Sequence, residues 1–98
     1  MIEADHIPAQ RKGFRFQEME DEGLIFNETT KRTIYLNDSA TVIWKLCDGQ
    51  RSVRAIAELL KQAYGDVEED FETDVRETIE SLLHEGALTS VPVGRAQN

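Results

Sequence analysis

The densest set of side chains that could do chemistry is a run of carboxylates in the last third of the chain. Six acidic residues occupy positions 1, 3, 5, 7, 9 and 12 of a notional calcium-binding loop: Asp66, Glu68, Asp70, Glu72, Asp74 and Glu77. Position 6 of such a loop requires glycine for its sharp turn, and this chain has Phe71 there. Val67, Phe71 and Val75 also keep helical spacing through the run. The run is therefore interpreted as the solvated face of an acidic helix, and no metal site is predicted.

The candidate nucleophiles and metal ligands stand apart from one another in the sequence. Cys47, the single cysteine, falls on an apolar helical stripe with Ile43 and Trp44, which indicates a small buried side chain rather than a reactive thiol. His6 and His84 have no companion at metal-ligand spacing. The six glycines are dispersed, so no phosphate-binding loop is present. The sequence therefore predicts a binding protein without cofactor or metal, not an enzyme.

The elements that would position a site begin with three short segments in which apolar residues alternate with other residues. Their alternating apolar residues are Phe14, Phe16, Leu24, Phe26, Ile34 and Leu36. Polar turns separate the three pairs, so the pattern predicts a three-stranded antiparallel meander. In such a meander the third strand, residues 33–36, lies at the edge of the sheet.

Helical periodicity begins after residue 36. Asn37 or Asp38 is predicted to cap a first helix, Ser52 a second and Asp66 a third, which ends at Gly86. Leu88 and Val91 then either add a short strand or lie against the core.

The predicted fold is α+β and resembles a winged helix-turn-helix, with a three-stranded antiparallel sheet followed by a three-helix bundle. The domain is expected over residues 13–91, with tails at residues 1–12 and 92–98.

Composition limits the class of protein. The 98 residues fit one domain, and with 11 basic and 19 acidic residues the formal net charge is −8. Neither a membrane span nor a secretory signal is found, and a lone cysteine makes no internal disulfide. These features predict a cytoplasmic protein without membrane contact.

The charge of the third helix opposes nucleic-acid binding. Residues 66–85 contain nine acidic residues and one basic residue, Arg76. In a helix-turn-helix reader this helix would enter the major groove, where phosphates would repel it. No nucleic-acid partner is predicted, although a winged-helix transcription regulator remains the alternative function.

An ordered combination of residues resembles the PqqD family over residues 14–91. It begins with Leu36-Asn37-Asp38-Ser39-Ala40 and Ile43-Trp44-x-Leu46-x-Asp48-Gly49, and continues with Ser52-Val53, Ile56-Ala57, Leu60, Tyr64, Asp74-Val75, Leu82 and Gly86-Ala87-Leu88. The turn at residues 28–32 departs from the Pro-Glu-Gly-like turn of members dedicated to pyrroloquinoline quinone (PQQ) synthesis. A lasso-peptide or radical-SAM pathway is therefore at least as compatible with the resemblance.

The resemblance implies a non-catalytic adaptor for ribosomally synthesised and post-translationally modified peptides (RiPPs). It would bind the leader segment of a precursor peptide and present it to a modifying enzyme, such as a radical SAM protein or a leader peptidase. The implied mechanism adds the leader as a strand to the edge at residues 33–36. A homodimer is a further expectation. An accessory subunit without a peptide ligand is a third alternative.

The expected peptide-binding residues lie on the edge strand and the third helix. They are Lys31, Arg32, Thr33, Ile34, Tyr35, Val75, Arg76, Ile79, Leu82 and Leu83. The cations Lys31, Arg32 and Arg76 are expected to hold acidic leader residues. The aliphatic residues are expected to line a groove, although core packing is the competing interpretation for Ile34, Leu36, Val75 and Leu82.

Overall fold

The computed structural model describes residues 2–64 and 71–91. Its elements, in chain order, are β1 (Ile7–Gln10), β2 (Phe14–Met19), β3 (Glu22–Asn27), β4 (Arg32–Leu36), α1 (Asp38–Leu46), α2 (Val53–Tyr64), α3 (Phe71–His84) and β5 (Leu88–Val91). The fold is α+β with antiparallel sheets and three helices. No helix within the described ranges is long and apolar enough to cross a membrane.

The larger sheet is the expected meander, in the order β2-β3-β4. Ile25 of β3 stands between Phe16 of β2 and Ile34 of β4, and these three side chains share the face that covers the helices. The opposite face carries half-buried Leu24 and Phe26. Because β3 is the central strand, β4 is an edge strand of this sheet.

A second sheet, formed by β1 and β5, corrects the expectation of a tail at residues 1–12. Ile7 of β1 pairs with Val91 of β5 in an antiparallel register. The segment was hard to recognise because it has only four residues, one of which is Pro8, and its partner strand lies at the far end of the sequence. Of the two alternatives that the sequence left open for Leu88 and Val91, the structure shows the short strand, β5.

The N-terminal segment also holds the start of α2. The backbone N–H groups of Val53 and Arg54 donate to the carbonyls of His6 and Ala4, each at 2.8 Å. Ser52, the predicted cap, accepts from the N–H of Ala55 through its side-chain oxygen at 3.1 Å. Donors that a helix N-terminus leaves without intrahelical partners are therefore satisfied from two directions.

The core lies between the inner face of the β2-β3-β4 sheet and the three helices. Its fully buried side chains include Ile25, Ile43, Cys47, Val53, Ile56, Val75, Ile79 and Ala87. Trp44 of α1 is 3% exposed and meets the Phe14 ring edge-on, with ring centroids 6.4 Å apart. α1 contacts β3, β4 and α3, so it fixes the position of the third helix relative to the sheet edge.

The helix ends follow the expected signals where the structure describes them. Asn37 is the N-cap of α1, and Gly86, after the last residue of α3, adopts the left-handed conformation with φ of 83°. The predicted cap at Asp66 lies outside the described residues.

Replacing Asn37 by alanine is expected to destabilise the fold by about 1 kcal/mol, because the Asn37 side chain accepts the N–H of Ala40 at 2.8 Å. The decrease would be measured as a lower urea midpoint of unfolding. Gln50→Ala, at an exposed loop position, is the matched control and should leave the midpoint unchanged. Equal midpoints for both variants would contradict the capping role.

Candidate functional site

The free edge of β4 is the first part of the candidate site. β4 pairs with β3 on one side, and within the described residues no strand pairs with its other side. An edge strand presents backbone N–H and C=O groups that another chain can pair with. This edge therefore offers hydrogen bonds that do not depend on the sequence of a ligand.

A groove of about 300 Å³ runs beside this edge, between β4, the start of α1 and α3. Its lining residues are Ile34, Tyr35, Leu36, Ala40, Glu77, Thr78, Ser81 and Leu82. Leu36 and Leu82 are almost completely buried and form an apolar floor, whereas Glu77 and Ser81 are exposed at the rim. An apolar floor beside a free strand edge suits an extended peptide whose alternate side chains point into the groove.

Tyr35 is the exposed aromatic residue of the site, with 56% of its area accessible. A hydrogen bond to Glu22, together with the negative charges of Glu22 and Asp38, raises the pKa of the Tyr35 hydroxyl. Tyr35 is the register partner of Leu24, so its side chain leaves the strand on the outer face, as that of Thr33 does. Its hydroxyl already donates to Glu22 there, and the groove meets Tyr35 at the strand edge.

Three of the expected site residues lie at the start of β4 rather than in the groove. Lys31 is in the preceding turn, with φ of 61°. Arg32 forms an ion pair with Glu85, which follows α3, so this pair joins the start of β4 to the end of the helix. Thr33 points to the outer face of the sheet, opposite Phe26 in the register.

The structure brings Ile34, Tyr35 and Leu82 to the groove but places the remaining α3 residues elsewhere. Val75 and Ile79 have no exposed area and belong to the core. Core packing was the competing interpretation for Val75, whereas Ile79 was expected only as a groove residue. Leu83 is partly buried and packs against the core without lining the groove.

Arg76 does not line the groove. Its guanidinium binds Glu72, one turn earlier on α3, at 2.7 Å. The next residue, Glu77, does line the groove, and successive helical residues are rotated by about 100°, so Arg76 faces the other flank of α3. The expected role of Arg76 as a direct contact for an acidic leader residue is therefore not supported by its position.

Five groove residues were absent from the expected set. They are Leu36, Ala40, Glu77, Thr78 and Ser81. For Glu77, Thr78 and Ser81 the sequence signal was the polar border of the apolar stripe on α3, since a groove beside a helix is lined by the residues that flank the buried stripe. The stripe itself fills the core. Leu36 and Ala40 lie on β4 and α1 and carried no such signal.

The other side chains that could act as nucleophiles or metal ligands are spread through the fold. Burial, followed by the negative charge of Asp48, raises the pKa of the Cys47 thiol to about 12, so the thiol is protonated and packs as a small apolar side chain. Within residues 2–64 and 71–91, no three His, Cys, Asp or Glu side chains are placed to hold a metal ion.

A larger concavity of about 510 Å³ lies on the outer face of the β2-β3-β4 sheet, around Leu24 and Phe26. It offers mainly side chains, because the backbone groups at the middle of a sheet already pair with each other. The smaller groove is the better candidate site because it combines an apolar floor with a free strand edge.

Comparison with known proteins places the same region in a known family. A family model described as "Coenzyme PQQ synthesis protein D (PqqD)" matches residues 22–88, which include β4, the groove and α3. The "PqqA binding protein" of Pseudomonas entomophila is 44% identical over 71 residues, covering 69% of this chain and 75% of that protein.

Solved structures share the fold. The PqqD part of Methylobacterium extorquens PqqCD, described as a functional, stand-alone RiPP recognition element, has a TM-score of 0.75 and 25% identity over 91% of this chain and 95% of that one. TbiB1, solved in complex with the TbiA(beta) leader peptide, has a TM-score of 0.73 and 17% identity, and the match covers 86% of this chain and 98% of TbiB1.

Proposed function

This chain belongs to the PqqD family, and from that membership we propose that it is a non-catalytic adaptor that binds the leader segment of a precursor peptide and presents it to a modifying enzyme. The leader binds as an additional strand on β4, and its apolar side chains enter the groove between β4 and α3. The observation that carries this proposal is the free edge of β4 beside an apolar floor formed by Leu36 and Leu82.

The proposed ligand is PqqA or a precursor of the same type. The Pseudomonas entomophila relative is named for PqqA binding, and its similarity extends over most of both chains. A radical SAM protein or a leader peptidase is the proposed receiving enzyme, in a PQQ, lasso-peptide or other RiPP pathway. Because such precursors come directly from the ribosome, we place the encounter in the cytoplasm.

Two further parts of the proposal concern architecture and assembly. The helices and the β2-β3-β4 sheet are proposed to be a winged-helix relative in which β4 acts as the accessible strand of the wing. A homodimer would use the same edge, since two β4 strands can pair across a two-fold axis. Leader binding and this form of dimer formation would then exclude one another.

DNA binding finds no support in the described part of α3. Its exposed and half-buried positions carry Glu72, Asp74, Glu77 and Glu80. The single basic residue before His84 on this helix, Arg76, already binds Glu72. A surface of this charge repels the phosphates that a recognition helix must approach.

Strand addition is tested best by changing the peptide backbone. A synthetic PqqA peptide would be methylated on one backbone nitrogen at a time, and its affinity would be measured by isothermal titration calorimetry. In a paired strand, alternate N–H groups point toward the partner strand. Methylation of those nitrogens should weaken binding about tenfold, and methylation of the intervening ones far less, so the losses should alternate along the segment.

Nuclear magnetic resonance of the wild-type protein locates the bound peptide and serves as the control for this experiment. Chemical-shift changes in the wild-type protein on titration with unmodified PqqA should centre on β4 and the groove-lining part of α3. A methylation profile without alternation, together with shift changes on the outer sheet face around Leu24 and Phe26, would show that the peptide binds by side-chain contacts at the larger concavity instead.

A further inference from the structure

A second cavity opens beside the groove, at the junction of the three helices. It has a volume of about 240 Å³. Buried Ile43 and Leu60 form its base, and Tyr64 and Phe71 stack on each other at its wall with ring centroids 6.1 Å apart. Tyr64 is 48% exposed, so one aromatic face of this helix junction remains accessible to a ligand.

The cavity adjoins the proposed leader site along α3. Glu77 and Thr78 line both the groove beside β4 and this second cavity. Along α3 the row from Ser81 to Phe71 spans about 15 Å at 1.5 Å per residue, a distance that about five residues of extended peptide cover. A leader of this added length that continues along α3, past the C-terminal end of β4, can therefore reach the second cavity.

The charge of the second cavity differs from that of the groove floor. Two exposed carboxylates, Asp74 and Glu77, stand at its rim, and no basic residue is among its described lining residues. Within the described part of the chain, neither carboxylate forms an ion pair. The cavity therefore combines a negative rim with an apolar and aromatic wall.

We propose that this cavity is a second subsite for the leader and that it takes a lysine or arginine side chain. The aliphatic stem of that side chain packs on Tyr64 and Phe71, and its cation binds Asp74 and Glu77. This inference rests on the proposed function, and it adds a chemical preference: a basic residue displaced by about five positions from the apolar residues that enter the groove.

The preference is opposite to the one expected from the sequence, in which Lys31, Arg32 and Arg76 were to hold acidic leader residues. In the structure, Arg32 and Arg76 already have carboxylate partners in Glu85 and Glu72. The carboxylates of Asp74 and Glu77 are the charges left to meet a ligand along this row of α3. Charge complementarity therefore favours a cationic leader residue.

The test uses a displayed library of random peptides of about ten residues, long enough to cover β4 and the second cavity. The library is selected against the wild-type chain and against the double variant Asp74→Asn/Glu77→Gln. Peptides selected on the wild type should share apolar residues that enter the groove, here called the apolar pair, and a lysine or arginine about five positions away from it. Peptides selected on the double variant should keep the apolar pair and lose the basic residue.

Affinity measurements then assign the preference to the subsite. Replacing the shared basic residue by norleucine, which keeps the aliphatic stem, should weaken binding to the wild type about fivefold at low salt. The same replacement should have little effect on binding to Asp74→Asn/Glu77→Gln. The matched control is Glu58→Gln/Asp21→Asn, which removes two exposed carboxylates away from both cavities and should behave as the wild type does.

The outcomes separate this inference from the proposed function. Filling the groove with the variant Ser81→Trp shows whether a selected peptide binds there. If the selected peptides depend on the groove but share no basic residue, the second subsite is wrong and strand addition stands. An equal norleucine effect in the wild type and the double variant would lead to the same conclusion. If no selected peptide depends on the groove, both proposals are wrong.

Discussion

Replacing Ser81 by tryptophan is expected to lower leader affinity at least a hundredfold. Ser81 is exposed on α3 and lines the groove beside β4, so an indole at this position can occupy the space that leader side chains would enter. A peptide held away from the edge loses several backbone hydrogen bonds at about 0.5–1.5 kcal/mol each. At the central value of about 1 kcal/mol each, the loss of three or four of them exceeds the roughly 2.8 kcal/mol that corresponds to a hundredfold in Kd.

The measurement is a calorimetric titration with PqqA, and the matched control is Glu58→Trp. Glu58 is exposed on α2 and lines neither cavity, so it adds the same indole without touching the site. Both variants should unfold at nearly the wild-type urea concentration, because neither position is in the core. Wild-type affinity in Ser81→Trp would mean that the peptide binds elsewhere.

Deleting residues 2–10 is expected to destabilise the fold by about 5 kcal/mol. The deletion removes β1 and the carbonyl groups that accept from Gly49, Val53 and Arg54. Each lost backbone hydrogen bond costs about 1 kcal/mol, and buried Pro8 adds lost apolar contact. Domains of this size are stable by about 5–15 kcal/mol, so the truncated chain should be partly or wholly unfolded at 25 °C.

Circular dichroism during urea titration measures this effect. The control is Glu3→Ala/Asp5→Ala, which keeps the backbone and alters two exposed side chains of the same segment. Its unfolding midpoint should stay close to that of the wild type. A truncated chain with an unchanged midpoint would restore the view that residues 1–12 are a tail.

Local signals in the sequence predicted much of the fold. The period of two predicted the meander, and the cap at Ser52 and the stop at Gly86 were found. Of the two candidate caps for α1, Asn37 and Asp38, the structure shows Asn37. Each of these features depends on residues a few positions apart, where side-chain spacing and backbone conformation are coupled directly.

Features that depend on distant partners were not predictable in the same way. β1 has too little periodicity of its own to indicate a strand, and its pairing with β5 is visible only in three dimensions. The sequence predicted a groove between β4 and α3, and the two elements do line one. The detail was missed because Glu77, Thr78 and Ser81 become groove residues through the rotation of α3 relative to β4.

The pairing of β1 with β5 has a mechanical consequence. Ile7 and Val91 are register partners at the end of this sheet nearest to both chain ends. Tension applied between the two ends would therefore first load the bonds that Ala4 and His6 accept from the start of α2. It would then peel the small sheet apart one residue pair at a time, instead of shearing all its bonds together. The β2-β3-β4 sheet, which carries the groove, would bear load only after these contacts have opened. Unfolding under tension would therefore begin at the N-terminal segment and the small sheet.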